Sequence, residues 1–307
     1  MITHPNGIGI AIVAPSGFGS DNAAIERGIA CLTAQGHTVH NYFEPDKVVQ
    51  RFGGTDEARL AQLNAAACDP QVQVVMALRG QYGLTRLLPR IDFARMADSG
   101  KIFVGYSDFT AFHMGLMAAT GAQSYAGPMF YSDFGAAEPV AFTQDDFWRC
   151  LRGPRHVIRA CVTGNPALET AGTIWGGNLA MLISLVGTDW FARIDDGIVF
   201  VEDINEHPYR VERMLLQLLQ SGVLARQKAL VLGDFSGYRL TPADNGYDFD
   251  AMLAYLREQL PIPVLTGLQF GHTPQRVTIP FGARAHLVSD AAGFTLTLSD
   301  YPTVAHG

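Results

Sequence analysis

Short apolar runs and amphipathic stretches take turns along the first half of the chain. Gly9-Ile-Ala-Ile-Val13 is continuously apolar, as a strand covered on both faces must be, and Ala14-Pro15-Ser16-Gly17 ends it in a turn. From Asn22 to Ala34 the residues Ile25, Ile29 and Leu32 fall at helical spacing, and Gln35-Gly36 closes the helix. Alternation over 37–43 predicts a second strand, Leu60 and Leu63 mark a polar helix, and 72–78 and 102–104 are two further apolar strands. After Gly105-Tyr106-Ser107 the pattern changes to helical, through Phe109, Phe112, Met114 and Leu116. Strands alternating with helices predict right-handed crossovers and a parallel sheet with helices on its faces. Sites in such sheets lie at the C-terminal ends of strands, where Ser16, Arg79 and Ser107 fall.

The alternation fades between Tyr131 and Glu169, a stretch broken by Gly153-Pro154 and Gly164-Asn165-Pro166. A linker is therefore placed at 151–170, between an N-terminal domain at 1–150 and a C-terminal domain at 171–307. Gly172-Thr-Ile-Trp-Gly-Gly-Asn178 reads as a glycine-rich turn opening the second domain, followed by an apolar helix over 179–185. It matches neither the dinucleotide fingerprint nor the P-loop, and the P-loop lysine is missing, so close backbone packing is its expected role. Residues 198–201 form a buried strand that ends in Glu202. Val211, Met214, Leu215, Leu218 and Leu219 then define an amphipathic helix closed by Ser221-Gly222. Strands follow at 229–233 and 261–265, the second leading to Phe270-Gly271-His272. Short alternating runs between Arg276 and Leu298 predict antiparallel strands. The fold class is α/β: a parallel sheet flanked by helices, then a mixed α/β domain whose C-terminal part is rich in strands.

Composition narrows the partners. At 307 residues, with 48% hydrophobic and 17% charged residues, the chain can bury a sizeable core. A net charge of −7 and a pI near 5.7 argue against nucleic acid or an anionic membrane as the partner. No apolar run has the length of a membrane span. The opening Met1-Ile-Thr-His-Pro-Asn-Gly7 has no basic start, apolar core or cleavage site, so a cytoplasmic protein is expected. Cys31, Cys68, Cys150 and Cys161 are scattered and form no C-x-x-C pair, which predicts reduced, mostly buried thiols and no disulfide or metal framework.

Candidate chemistry sits at the strand ends. A serine between a buried strand and a helix has its hydroxyl raised on a sharp turn, near backbone N–H groups that favour an anion. Ser107 stands so, although Phe109 replaces the second glycine of the G-x-S-x-G elbow and a serine there also serves as an ordinary helix cap. Leu78-Arg79-Gly80-Gln81-Tyr82-Gly83 suits a turn with unpaired N–H groups that could hold an oxyanion together with the Asp108 N–H; it also suits a plain strand-to-helix loop. Glu202-Asp-Ile-Asn-Glu-His-Pro208 gathers acids and a histidine, but no second cluster has ligand spacing, so no metal is expected. Ser107, Glu202 and His272, each beyond a strand, supply the residue types of nucleophile, orienting carboxylate and base. Spacing leaves their convergence open.

Several motifs run in register along the chain: Ala14-Pro-Ser-Gly17, Arg79-Gly-x-Tyr-Gly83, Ser107-Asp-Phe-Thr-Ala111, Gly127-Pro-Met129, Gly172-Thr-x-Trp-Gly-Gly-Asn-Leu-Ala-Met-Leu-Ile-Ser184, Glu202-Asp-Ile-Asn-Glu-His-Pro208, Arg210-Val-Glu-Arg-Met-Leu-Leu-Gln-Leu218 and Phe270-Gly-His272. In these the chain resembles, nearly end to end, the LD-carboxypeptidase family of serine peptidases, and most closely its cytosolic murein-recycling members. The resemblance implies Ser107 as nucleophile, His272 as general base and Glu202 as the residue orienting it, with Glu206 as the rival carboxylate. It implies an oxyanion hole from the Asp108 N–H and that of Gly80 or Gln81. Two departures stand out: Gln81 occupies a position where the family usually has glycine, and Ala126 one where serine or histidine is common. The implied reaction releases terminal D-alanine from a murein tetrapeptide, free or attached to an amino sugar, without cofactor or metal, in a homodimer. An exopeptidase must also hold the free terminal carboxylate, a bidentate task that suits arginine, and Arg79, Arg86 and Arg210 are candidates. Two other readings stay open: a self-immunity peptidase of the same family cleaving an aminoacyl-nucleotide antibiotic, and a non-catalytic two-domain binding protein for a small ligand.

Overall fold

A computed structural model describes residues 7–304. Residues 1–6, on which the reading of the chain's opening rests, lie outside them. Two sheets carry the architecture. The first has six strands in the order β11-β5-β4-β3-β1-β2, where β1 is Gly9–Val13, β2 Thr38–Asn41, β3 Val74–Ala77, β4 Ile102–Gly105, β5 Ser124–Ala126 and β11 Ile279–Phe281. Five are parallel, and β11 joins antiparallel to β5. Every residue of β1, β3 and β4 is buried, as expected for inner strands covered on both faces.

The second sheet has seven strands in the order β10-β9-β8-β7-β12-β13-β6: β6 is Arg155–Ala160, β7 Leu168–Asn178, β8 Ile198–Ile204, β9 Ala229–Ser236, β10 Val264–Thr266, β12 Arg284–Asp290 and β13 Gly293–Ser299. Strands β7 to β10 pair in parallel, whereas β12, β13 and β6 pair antiparallel. The mixed second unit with a strand-rich end follows from this division.

Four features differ from the sequence reading. Residues 151–170, where a linker is expected, hold the edge strand β6. Its exposed Arg155 and Arg159 alternate with buried His156 and Ile158, which hides the apolar signal. Residues 172–178 form no turn; they are the end of the eleven-residue β7. Its glycines serve close approach, because a Cβ on Gly176 would stand 1.8 Å from the Phe200 carbonyl oxygen. The strand β11 crosses from the second half of the chain to complete the first sheet. All four cysteines are free, and Cys68 and Cys161 are exposed rather than buried. Among the described residues no helix is long and apolar enough to cross a membrane.

The sheets meet where the helix Thr110–Thr120, which follows β4, abuts the end of β7. A Cβ on Gly177 would come within 2.5 Å of Thr110 Oγ1, and the Asn178 N–H donates to that same oxygen at 3.0 Å. This contact brings the C-terminal ends of β4 and β8 together.

Two glycines test the distinction between strain and collision. Gly164, at φ +84, has open space around it, while Gly176, at φ +142, faces a backbone carbonyl. Gly164→Ala is expected to cost about 1 kcal/mol. Gly176→Ala is expected to cost at least about 3 kcal/mol in urea unfolding. Equal losses would contradict the close approach described for β7.

Candidate active site

The turn after β4 bends at Ser107, whose φ of +62 places a non-glycine residue in the left-handed region. Such a backbone stores about 1–3 kcal/mol, which the surrounding packing must offset. A short 3₁₀ turn, Ser107–Phe109, leads into the helix Thr110–Thr120. The missing second glycine is compensated by Gly105: a Cβ there would lie 2.8 Å from Phe109 Cγ, so its absence makes room for the Phe109 ring. That ring stacks on Phe112 at 4.8 Å between centroids.

His272 bridges the two halves of the chain. Its Nδ1 lies 2.7 Å from Glu202 Oε2 and its Nε2 3.1 Å from Ser107 Oγ. An ionised carboxylate only accepts, so Glu202 holds the proton on Nδ1 and leaves Nε2 to accept from the serine hydroxyl. Glu202 is fully buried, and its second oxygen accepts from Asn178 Nδ2 at 3.2 Å. It sits where the pairing of β8 with β9 shifts register, between Val201 and Asp203. Gly271, at φ +145, passes directly over it: a Cβ would come within 3.2 Å of Glu202 Cβ and 2.9 Å of Asp234 Cβ. The rival Glu206 lies away from the histidine, 3.7 Å from Arg210.

Asp108 carries a second task besides its N–H. Its buried carboxylate accepts the Ser16 hydroxyl at 2.6 Å and the Leu84 N–H at 2.9 Å, both on Oδ2. Burial pushes this carboxyl up, against the pull of those donors and of the Arg59 guanidinium. Arg59, also buried, donates to the carbonyls of Pro15 and Gly83. The loops after β1 and β3 are thereby tied to the elbow, and the Gly17 N–H donates to the Gly80 carbonyl at 2.9 Å. A Cβ on Gly80 would stand 2.8 Å from Ser107 Cβ, so only glycine lets this turn lie against the serine. Gln81 adopts φ +78, the left-handed conformation that glycine takes most easily.

Arg276 supports the histidine loop, and the sequence reading did not single it out. Its Nε donates to the Gly271 carbonyl at 2.7 Å and its Nη2 to the Thr273 carbonyl at 3.0 Å, on either side of His272. Nη1 reaches both oxygens of buried Asp133, at 2.9 and 3.0 Å. The guanidinium stacks over Tyr106, 3.8 Å from the ring centroid, and Tyr106 in turn meets the His272 ring edge-on. Asn178, quoted above only within a motif, links Glu202 to Asp203.

A cavity of about 660 Å³ opens onto Ser107 and His272, and Arg79, Gly80, Tyr106 and Tyr131 are among its walls. Its size suits a small peptide. Of the three candidate arginines only Arg79 lines it; Arg86 lies over Phe52 near Asp56, and Arg210 sits beside Glu206 and Tyr209. Among the described residues no group of three or more His, Cys, Asp or Glu is arranged to hold a metal ion. The arrangement can activate a hydroxyl and stabilise a nearby oxyanion, which is the chemistry of acyl transfer.

The chain is similar to known proteins over most of its length. Residues 10–127 match the LD-carboxypeptidase N-terminal domain, and residues 171–287 match the LD-carboxypeptidase C-terminal domain. A putative carboxypeptidase of Streptomyces coelicolor is 35% identical over 255 residues, 80% of this chain and 78% of its own length. A probable murein peptide carboxypeptidase of Bacillus subtilis is 29% identical, over 76% of this chain and 74% of its own. The crystal structure of muramoyltetrapeptide carboxypeptidase from Oxalobacter formigenes superimposes with a TM-score of 0.93 at 52% identity, covering 96% of this chain and all of that one, 100%.

Removing the Arg276 guanidinium leaves Asp133 buried without its counter-charge, with the Met129 N–H and the Ser132 hydroxyl still donating to Oδ2. Arg276→Met is expected to cost about 3 kcal/mol or more and to raise hydrogen exchange across 268–277; unchanged exchange there would contradict the bracing role. The neighbouring Asp203 gives a pH signature. Burial, with the charge of Glu202 beside it, pushes its carboxyl from 3.8 up to about 6, against the N–H groups of Ala180 and Ile204 and the Asn178 amide. A carboxyl raised on folding stabilises fully below its unfolded value, and that contribution is lost as pH climbs through the folded one. The Tm of Asp203→Asn relative to wild type should therefore rise between about pH 4 and pH 7, around a constant offset for the lost acceptor. A flat difference would contradict it.

Proposed function

The chain belongs to the LD-carboxypeptidase family, and we propose that it is a serine LD-carboxypeptidase releasing terminal D-alanine from murein tetrapeptides. The observation that carries the reading is the hydrogen-bonded chain from Ser107 through His272 to fully buried Glu202. In this mechanism Ser107 Oγ attacks the carbonyl carbon of the third residue, and His272 Nε2 takes the hydroxyl proton. The imidazolium so formed is stabilised by Glu202 through Nδ1–H. The developing oxyanion accepts from the Asp108 N–H and from that of Gly80 or Gln81. Collapse of the tetrahedral intermediate breaks the L,D amide, and the departing D-alanine amine receives the proton from Nε2. Water then repeats the sequence on the acyl-enzyme, freeing a tripeptide and restoring Ser107. No step uses a metal or a cofactor. Within this reading the enzyme works in the cytoplasm as a homodimer, on peptides returned from the cell wall.

The strained backbone at Ser107 fits the role, because it holds the hydroxyl out from the strand end before substrate arrives. The test is D-alanine release from L-Ala-γ-D-Glu-meso-diaminopimelate-D-Ala with chelator present. Wild type should release it, Ser107→Ala should lose at least about 10⁴-fold, and Glu202→Gln about 10³-fold or more. Equal rates for wild type and Ser107→Ala would remove Ser107 from the chemistry. A folded wild type that leaves the tetrapeptide intact but cleaves an aminoacyl-nucleotide conjugate would shift the substrate to the self-immunity class.

A further inference from the structure

Among the described residues, one cation in the catalytic cavity is free to meet a charged ligand. Arg79 follows β3 and immediately precedes Gly80, the residue whose missing Cβ lets the turn rest against Ser107. It lines the cavity together with Ser107 and His272. The other arginine there, Arg27, is engaged: it pairs with Asp21 at 3.2 Å and donates to the Gly135 carbonyl at 3.0 Å. Among the described residues Arg79 has no carboxylate partner, in a chain whose net charge is negative.

Among the described residues its fixed contact is with an aromatic ring. The guanidinium lies 5.4 Å from the centroid of Tyr131. That ring is itself held: its hydroxyl oxygen accepts the Asp21 N–H at 3.0 Å, and the Tyr131 N–H donates to the Leu78 carbonyl at 3.0 Å, one residue before Arg79. A Cβ on Gly19 would press within 2.6 Å of the same ring. A guanidinium stacked on a fixed ring keeps its N–H fork at the edge, available to an oxyanion.

We infer that Arg79 is the receptor for the free C-terminal carboxylate of the substrate, and so makes the enzyme an exopeptidase. This inference rests on the proposed carboxypeptidase activity. In an L,D-dipeptide unit the terminal carboxylate is separated from the scissile nitrogen by a single carbon. A group that binds it must therefore share the nucleophile's cavity, as Arg79 does. A bidentate pair with a carboxylate selects for a chain end, because an amide or a continuing peptide carries no charge there and leaves the guanidinium unpaired.

The test compares the D-Ala-terminated tetrapeptide with the same peptide ending in D-alaninamide. Wild type should prefer the acid in kcat/KM by about 10- to 100-fold. Arg79→Met should lose that factor on the acid alone, with the loss mostly in KM, and Arg79→Lys should recover part of it. An equal loss on acid and amide would assign Arg79 to holding Tyr131 and overturn the inference, as would no loss on either. Calorimetric binding of both peptides to Ser107→Ala separates recognition from turnover. Preference for the acid that vanishes in Ser107→Ala/Arg79→Met supports the receptor, and equal affinity or no binding overturns it, whatever the turnover. Failure of wild type to release D-alanine despite such a preference would overturn the functional reading instead.

Discussion

One imidazole ring joins the two halves of this chain, and its geometry constrains everything around it. Its Nε2 must meet a serine at the end of β4, and its Nδ1 must meet a glutamate at the end of β8, in the other sheet. Both distances hold only if the sheets dock in one way. Gly177 against Thr110 fixes that docking, while Gly80 against Ser107 and Gly271 over Glu202 fix the loops within each half. At each of these a single added carbon would push the partners apart.

The same architecture must keep buried charge satisfied. Glu202 and Asp203 lie side by side at the end of β8, and Asn178 donates to both. Asp133 is held by Arg276, which also braces the two carbonyls flanking His272. Asp108 binds the loops that carry Ser16 and Leu84 to the elbow. A buried carboxylate is costly unless paired or hydrogen-bonded, so each of these acids fixes a loop as the condition of its own burial. The geometry of the candidate site and the stability of the interior are in this sense one problem.

The inner strands β1, β3 and β4 were legible because strands covered on both faces need continuous apolar runs. Ser107 was legible because the period changes from strand to helix on either side of it. Other features were not open to the same reading. The glycines at 176 and 177 look like a turn, yet they serve a strand pressed against its neighbour, and composition cannot separate the two uses. The edge strand β6 carries arginines on its outward face and reads as irregular chain. Glu202 stood ahead of Glu206 because it directly follows the apolar strand, but that it reaches His272, 70 positions on, could not be read from spacing. Arg276 could not be found at all, because its meaning depends on Asp133, 143 positions earlier in the chain.

The central claim is that Ser107 and His272 act as a unit. The most direct measurement is a double-mutant cycle on kcat for D-alanine release, comparing Ser107→Ala, His272→Ala and the double variant. Residues that share one proton transfer lose their contribution together, so the account predicts that the double variant is no slower than either single one. Losses that multiply would mean two independent contributions and would contradict the account.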